Sequence, residues 1–235
     1  VTVLSMLGKD GEYEKLIKKN LAKNINTKFL YRDNCPTIVK KRYIEHISNN
    51  KVLGVYSMND KLLSQKEEKK FEKILSQEIK KHDCVIVSDY GHGLITKKIA
   101  KILCKKSKFI SLNAQSNASN IGYHSIQKYK NIDCVVMNEN ELRHELRNKS
   151  DNTNLLIKQL SQINNIENLI ITKGLEGAIL YNSKKNKFYT CPAFASHVVD
   201  KVGAGDTMLS IISLLLNKKF ESTVSLFLSS IAAAF

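Results

Sequence analysis

Val199-Asp200-Lys201-Val202-Gly203-Ala204-Gly205-Asp206-Thr207 stands directly before an apolar run, 208–216, that reads as a helix. Glycines let the backbone turn so that several N–H groups point one way, and the start of the helix adds the positive end of its dipole. That combination suits an anion, phosphate above all. Asp206 is the anomaly, because a carboxylate repels an anion unless it is there to take a proton. The plainer reading is a glycine-rich helix start with a capping Asp. What precedes the loop decides between them.

Upstream, short apolar runs alternate with helical patterns. Strands are predicted over 84–88, 108–112, 133–137 and 168–172, with helices over 96–106, 139–147 and 152–163 between them. Strands separated by helices imply parallel pairing through right-handed crossovers, the α/β class. In such sheets ligands lie at the carboxyl ends of the strands. Each of these ends carries polar or glycine residues: Ser88-Asp89-Tyr90-Gly91-His92-Gly93, Asn113-Ala114-Gln115-Ser116-Asn117, Asn138-Glu139-Asn140-Glu141 and Thr172-Lys173-Gly174-Leu175-Glu176-Gly177. Four such ends and the anion loop, on one edge, make a site.

The N-terminal third reads differently. A strand over 1–7 leads to a helix over 12–23. After a Cys35-Pro36 break, β-branched residues over 37–47 and a returning strand over 51–57 form a hairpin with mixed faces, suited to covering a site. Ser64-x-x-Glu67 is a capping box, followed by a stripe of Phe71, Ile74, Leu75 and Ile79. At the other end, 177–181 and 187–190 form a hairpin, and helices over 208–216 and 222–234 close the chain. No internal repeat or linker separates a second domain.

With 235 residues and 43% hydrophobic content the chain can bury one large core. Its formal net charge of +15 invites a nucleic-acid reading. The lysines, however, are scattered over polar helix faces, with no Trp, aromatic-rich strand motif or basic tail, so a solvated Lys-rich surface is expected and no nucleic-acid partner. The cysteine count of 5 is odd and no C-x-x-C pair occurs, which points to free thiols in a reducing compartment. The histidines show no metal-ligand spacing. With neither a basic-led signal segment nor an apolar run of membrane length, a cytoplasmic protein with no membrane partner is expected.

The pattern D-x-x-G-A-G-D over 200–206 resembles the signature of the ribokinase-like (phosphofructokinase-B type) carbohydrate kinases, usually D-T-x-G-A-G-D before a helix. Lys201 stands in place of the usual Thr. Three further elements resemble the same family: Asn138-x-x-Glu141, Thr172-x-Gly174-x-x-Gly177 and Asp89-Tyr90-Gly91-x-Gly93. The sequence lacks G-x-x-x-x-G-K-[ST], so it is not a P-loop kinase. The resemblance covers essentially the whole chain and implies one ribokinase-like domain over 1–235, a three-layer α/β fold with a central, mostly parallel sheet and a small β lid at about 35–57.

It also implies ATP-dependent phosphoryl transfer to a sugar hydroxyl. Asp206 is then the general base, with Gly203, Ala204 and Gly205 supplying backbone N–H groups to the transferring phosphoryl. Asn138, Thr172, Lys173, Gly174 and Gly177 belong to the nucleotide site. Glu141 places Mg²⁺ through water, and Asp200 belongs to a monovalent-cation site such as one for K⁺, a structural loop Asp being the equal alternative. Arg42 on the lid, Asp89 and Asn113 contact the sugar. The lid stretch with the SDYGHGLI loop is most similar to kinases of ADP-heptose synthesis, which phosphorylate C1 of a heptose 7-phosphate and are often fused to a nucleotidyltransferase. Asn113-Ala114-Gln115 replaces the Asp-Pro-Lys usual there, which bears on the substrate. Homodimer formation through the lid is a further expectation. The family begins with another strand, carrying a sugar-binding Asp, and a G-G-x-x-N-x-A helix start; neither precedes Val1, and the chain stops in an apolar run, so it reads as truncated at both ends. A non-catalytic sugar or nucleotide sensor on the same fold is the alternative, as is a kinase of another sugar phosphate or a nucleoside.

Overall fold

The computed structural model describes residues 1–9, 11, 13–46, 50–115, 120, 122–194 and 203–234. They divide into two compact units, one of residues 1–78 and 92–96, the other of 79–91 and 97–235.

In the first unit β1 (Thr2–Gly8) pairs in parallel with β2 (Asn26–Arg32), the crossover being a short helix, α1 (Glu14–Asn20). β2 is absent from the sequence reading. Its inward residues are Leu30 and Arg32, both buried. A buried guanidinium is tolerable only when paired, and Arg32 donates to Glu67 Oε1 at 3.2 Å and to the carbonyls of Lys61 and Leu62 at 3.1 and 3.4 Å. β3 (Val39–Ile44) and β4 (Lys51–Ser57) form the expected antiparallel ribbon, with a register irregularity at Tyr43/Ile44. Both of its faces are open: Tyr43, Ile44, Val52, Leu53 and Val55 are exposed. α2 (Gln65–Ile79) starts at the expected capping box, Ser64 N donating to Glu67 Oε2 at 2.7 Å and Glu67 N to Ser64 Oγ at 3.3 Å.

The second unit is built on a six-stranded sheet. It contains β5 (Val85–Asp89), β6 (Ile110–Ala114), β7 (Ile132–Asn138), β8 (Ile166–Thr172), β9 (Ala178–Asn182) and β10 (Lys187–Cys191), in spatial order β10-β9-β8-β7-β6-β5. β5 to β8 are mutually parallel, and β9 and β10 add antiparallel. The β5–β6 crossover runs through α3 (Lys97–Lys106) and the β7–β8 crossover through α4 (Glu139–Leu146) and α5 (Thr153–Asn164), while the described part of the β6–β7 connection carries a single 3-10 turn, Ile126–Lys128. Because each crossover steps the same way along the sheet, right-handedness places these helices on one face. α6 (Ala204–Asn217) and α7 (Ser222–Ala232) cover the other, Met208, Leu209, Ile212 and Leu226 packing with Cys134, Val136, Ile170 and Leu180. The layers are therefore helix, sheet, helix. α7 buries Ser222, Ser225, Ser229 and Ser230 and leaves Val224, Phe227 and Leu228 part-exposed, the reverse of an ordinary amphipathic helix. Small serines permit close approach, and Ser229 Oγ returns its proton to the Leu226 carbonyl at 3.0 Å.

Candidate active site

Parallel pairing brings the ends of β5, β6, β7 and β8 to one edge, where Ser88 is registered with Asn113 and Asn138 with Thr172. At about 4.8 Å per strand, the row from Ser88 to Thr172 extends roughly 14 Å. α6 begins at this edge. Gly203 is its N-cap, at φ +94°, and has no side chain to satisfy the first amides. An α-helix leaves its first N–H groups without intrahelical acceptors, so those of Ala204, Gly205 and Asp206 face outward. Among the described residues a Cβ placed on Gly205 meets nothing within 4 Å.

Asp206 lies in that turn, half-buried. Its Oδ2 accepts from the Tyr90 hydroxyl at 3.3 Å and its Oδ1 from Ser88 Oγ at 3.5 Å. The sequence places both residues at the end of the strand over 84–88, while the sugar contact expected there falls on Asp89. The signal was present in the alternation of a strand, in which Ser88 and Tyr90 share one side and Asp89 takes the other.

Asp89 is indeed on the far side. It is 3% exposed. Its Oδ2 accepts from Tyr129 Oη and from Lys128 Nζ, both at 2.6 Å, and its Oδ1 from Gly91 N at 3.0 Å. Burial pushes the Asp89 carboxyl up, but the Lys128 ammonium, His124 and the Tyr129 hydroxyl outweigh it and hold it below the usual range. Burial, with Asp89 beside it, drives the Tyr129 phenol well above its ordinary value. Asp89 thus organises the loop that carries Tyr90. Asn113 is also buried, its Nδ2 donating to the Val136 carbonyl at 2.9 Å. Arg42 lies exposed on β3 of the first unit. Asp200 and Lys201 lie outside the described residues.

At the other end of the row, Asn138 and Glu141 form a reciprocal capping box at the start of α4: Oδ1 of Asn138 accepts from Glu141 N at 2.8 Å and Oε2 of Glu141 from Asn138 N at 2.9 Å. Glu141 is buried. The 172–177 turn is tight. Lys173 N donates to the Gly177 carbonyl at 2.8 Å, and a Cβ on Gly177 would sit 2.0 Å from the Cys191 carbonyl, so packing alone requires that glycine. Gly174, at φ +59°, has open space instead. Lys173 is paired with Glu176 and lies 3.9 Å from Glu139, and the hydrogen bond its ammonium donates to Glu176 is the chief cause of its raised pKa. Among the described residues no group of three or more His, Cys, Asp or Glu could hold a metal. Nor is any helix among them long and apolar enough to cross a membrane.

A carboxylate inside a glycine-rich helix start thus stands at the carboxyl edge of a largely parallel sheet, where ligands of α/β proteins lie. Comparison with known proteins gives the class. The model of the pfkB family carbohydrate kinases matches residues 1–226, and the chain belongs to that family. Among curated relatives, the bifunctional protein HldE of Nitratiruptor sp. is 24% identical over 222 residues, covering 93% of this chain and 45% of the relative. HldE of Helicobacter pylori is 27% identical over 225 residues, covering 92% and 46%. The chain thus spans about half the length of these relatives. Solved structures of similar fold include Escherichia coli phosphofructokinase-2 in complex with potassium, with TM-score 0.79, 14% identity and coverage of 99% of this chain and 74% of that one. Arabidopsis thaliana ribokinase complexed with ribose and ATP has TM-score 0.71 and 15% identity, covering 99% and 74%. At such identities the likeness is one of fold, and it agrees with the helix–sheet–helix layering of the second unit.

Proposed function

We propose that the protein transfers the γ-phosphoryl group of ATP to a hydroxyl of a sugar, and that the sugar is itself phosphorylated, a heptose 7-phosphate accepting at C1. The observation that carries the reaction class is Asp206 in the first turn of α6, beside amides open to an anion. In phosphoryl transfer the protein mainly positions reactants and stabilises charge. Asp206 takes the proton of the acceptor hydroxyl. The amides of residues 203–206 offset charge on the transferring group; removing one such contact typically costs about 3 kcal/mol of barrier. Asn138, Thr172, Lys173, Gly174 and Gly177 lie along the strand ends where the nucleotide extends. Mg²⁺ neutralises phosphate charge when bound. Such an ion keeps most of its ligands as phosphate and water oxygens, so Glu141, one oxygen of which is held by the Asn138 amide, would hold it through water. A monovalent cation at Asp200 belongs to the same reading.

The heptose assignment is supported by the HldE relatives and by the lid and SDYGHGLI stretches; the net charge of +15 suits a substrate bearing phosphate. With it come a nucleotidyltransferase partner, fused or separate, and a cytoplasmic location. A homodimer through the β3–β4 ribbon is supported by its exposed apolar residues. The test is to incubate the full-length protein with ATP, Mg²⁺ and a panel of heptose and hexose phosphates, free sugars and nucleosides, following ADP and locating the new phosphate by ³¹P NMR. ADP and a C1 phosphate with heptose 7-phosphate are expected. Saturable sugar binding without ADP from any acceptor overturns the kinase reading in favour of a sensor.

A further inference from the structure

We propose that Tyr90 is the positioning residue of the base: it holds Asp206 Oδ2 so that Oδ1 is the oxygen presented to the acceptor hydroxyl. This rests on the reading of Asp206 as general base. The two oxygens are not equivalent. Oδ2 meets the half-buried Tyr90 hydroxyl at 3.3 Å, whereas Oδ1 meets the exposed Ser88 at the longer 3.5 Å. Both are long for O–H···O, as catalytic hydrogen bonds often are before substrate binds. An exposed hydroxyl at that distance is the one an incoming substrate hydroxyl displaces.

Tyr90 is also the better anchored. Its carbonyl accepts from Asn120 Nδ2 at 2.9 Å. The residues on either side are fixed as well, the Asp89 carbonyl lying 3.0 Å from His124 Nε2 and the Gly91 amide donating to Asp89 Oδ1 at 3.0 Å. Gly91 has φ +70°, and a Cβ there would lie 2.8 Å from Asn120 Nδ2 and 2.9 Å from His124 Cγ. The buried Asp89–Lys128–Tyr129 cluster therefore sets the backbone from which Tyr90 reaches the base. The step balances simply: the acceptor O–H breaks as its oxygen bonds to the γ-phosphorus of ATP, the bond from that phosphorus to the β–γ bridging oxygen breaks and its electron pair leaves on ADP, the proton passes to Oδ1, and Tyr90 keeps its own proton throughout.

The experiment is a double-mutant cycle in the full-length protein with Tyr90→Phe and Asp206→Asn, each rate normalised to nucleotide-binding sites titrated with ATP. Tyr90→Phe keeps the ring, so a role in packing alone predicts little change. Loss of a hydrogen bond to a charged group predicts a fall in kcat of about 10- to 100-fold, with KM for the sugar moving far less. Ser88→Ala is expected to cost less than Tyr90→Phe. In the Asp206→Asn background Tyr90→Phe should add no further loss, since a residue acting through the base has nothing left to position. Wild-type turnover with an unaltered Tyr90→Phe rate, or an equal fold-loss in both backgrounds, overturns the inference alone. Absence of ADP from the wild type overturns the kinase reading and this inference with it.

Discussion

Gly205→Ala separates stability from function at the anion loop. Gly205 is in the first turn of α6 without a positive φ, and among the described residues a Cβ there meets nothing within 4 Å. Ala is favoured over Gly in helices by about 0.5–1 kcal/mol. For a chain of this size that corresponds to a rise in melting temperature on the order of 1–4 °C. If, as proposed, the amides of this turn hold the transferring phosphoryl group, the added methyl group would crowd that contact, and loss of one such contact is worth a factor of about 100 or more in rate. Thermal melts and steady-state kinetics on the same preparation should therefore diverge, with Tm up and kcat down. A more stable variant with wild-type kcat would refute the loop as a phosphoryl cradle. A less stable one would refute the open space beside Gly205.

Three further outcomes follow from the same geometry. The depressed Asp89 carboxyl contributes stability that is present above its unfolded value, about 3.9, and is lost as pH falls through its lower folded value. Lys128→Met should cost about 3 kcal/mol near neutral pH by leaving the buried Asp89 carboxylate without its ammonium partner, and the deficit, read from denaturant melts, should shrink toward zero as pH falls below the lowered folded value; a deficit constant with pH would assign Lys128 a packing role only. Glu176→Gln removes the nearer of the two carboxylates beside Lys173, leaving Glu139 at 3.9 Å, and should tighten ATP binding by up to about fivefold in calorimetry if Lys173 meets nucleotide as proposed; weaker binding would show that the pair shapes the loop for nucleotide. Burial pushes the Cys134 thiol up to about 12. Alkylation of Cys134 at pH 8 should thus require unfolding, and rapid native labelling followed by mass spectrometry would contradict its place under α6.

The parallel sheet was legible because its signals are local. Apolar runs such as 133–137 and 168–172 end in polar turns, and the structure extends them only to Ile132–Asn138 and Ile166–Thr172. β2 was not legible, because one of its two inward side chains is Arg32, neutralised by Glu67 and two carbonyls distant in sequence. The inverted face of α7 escaped for a similar reason, since its serines are buried by close approach and not by hydrophobicity. At the site, Gly203–Asp206 declared itself through glycines and a misplaced carboxylate. The roles of Ser88, Tyr90 and Asp89 depended on which side of β5 each occupies, and that depends on where α6 packs. Gly177 shows the opposite case, a motif residue that the Cys191 carbonyl demands whatever the loop binds.

Under the proposed function Asp206 takes the proton of the acceptor hydroxyl. Single-turnover transfer of labelled γ-phosphate from ATP to the sugar, in wild type and Asp206→Asn, tests it directly, with ATP affinity measured alongside. The expected result is a rate lower by about 10² to 10⁴ at nucleotide affinity within about threefold of wild type, a difference small against the 1.4 kcal/mol that marks tenfold. Transfer by Asp206→Asn at the wild-type rate would contradict it.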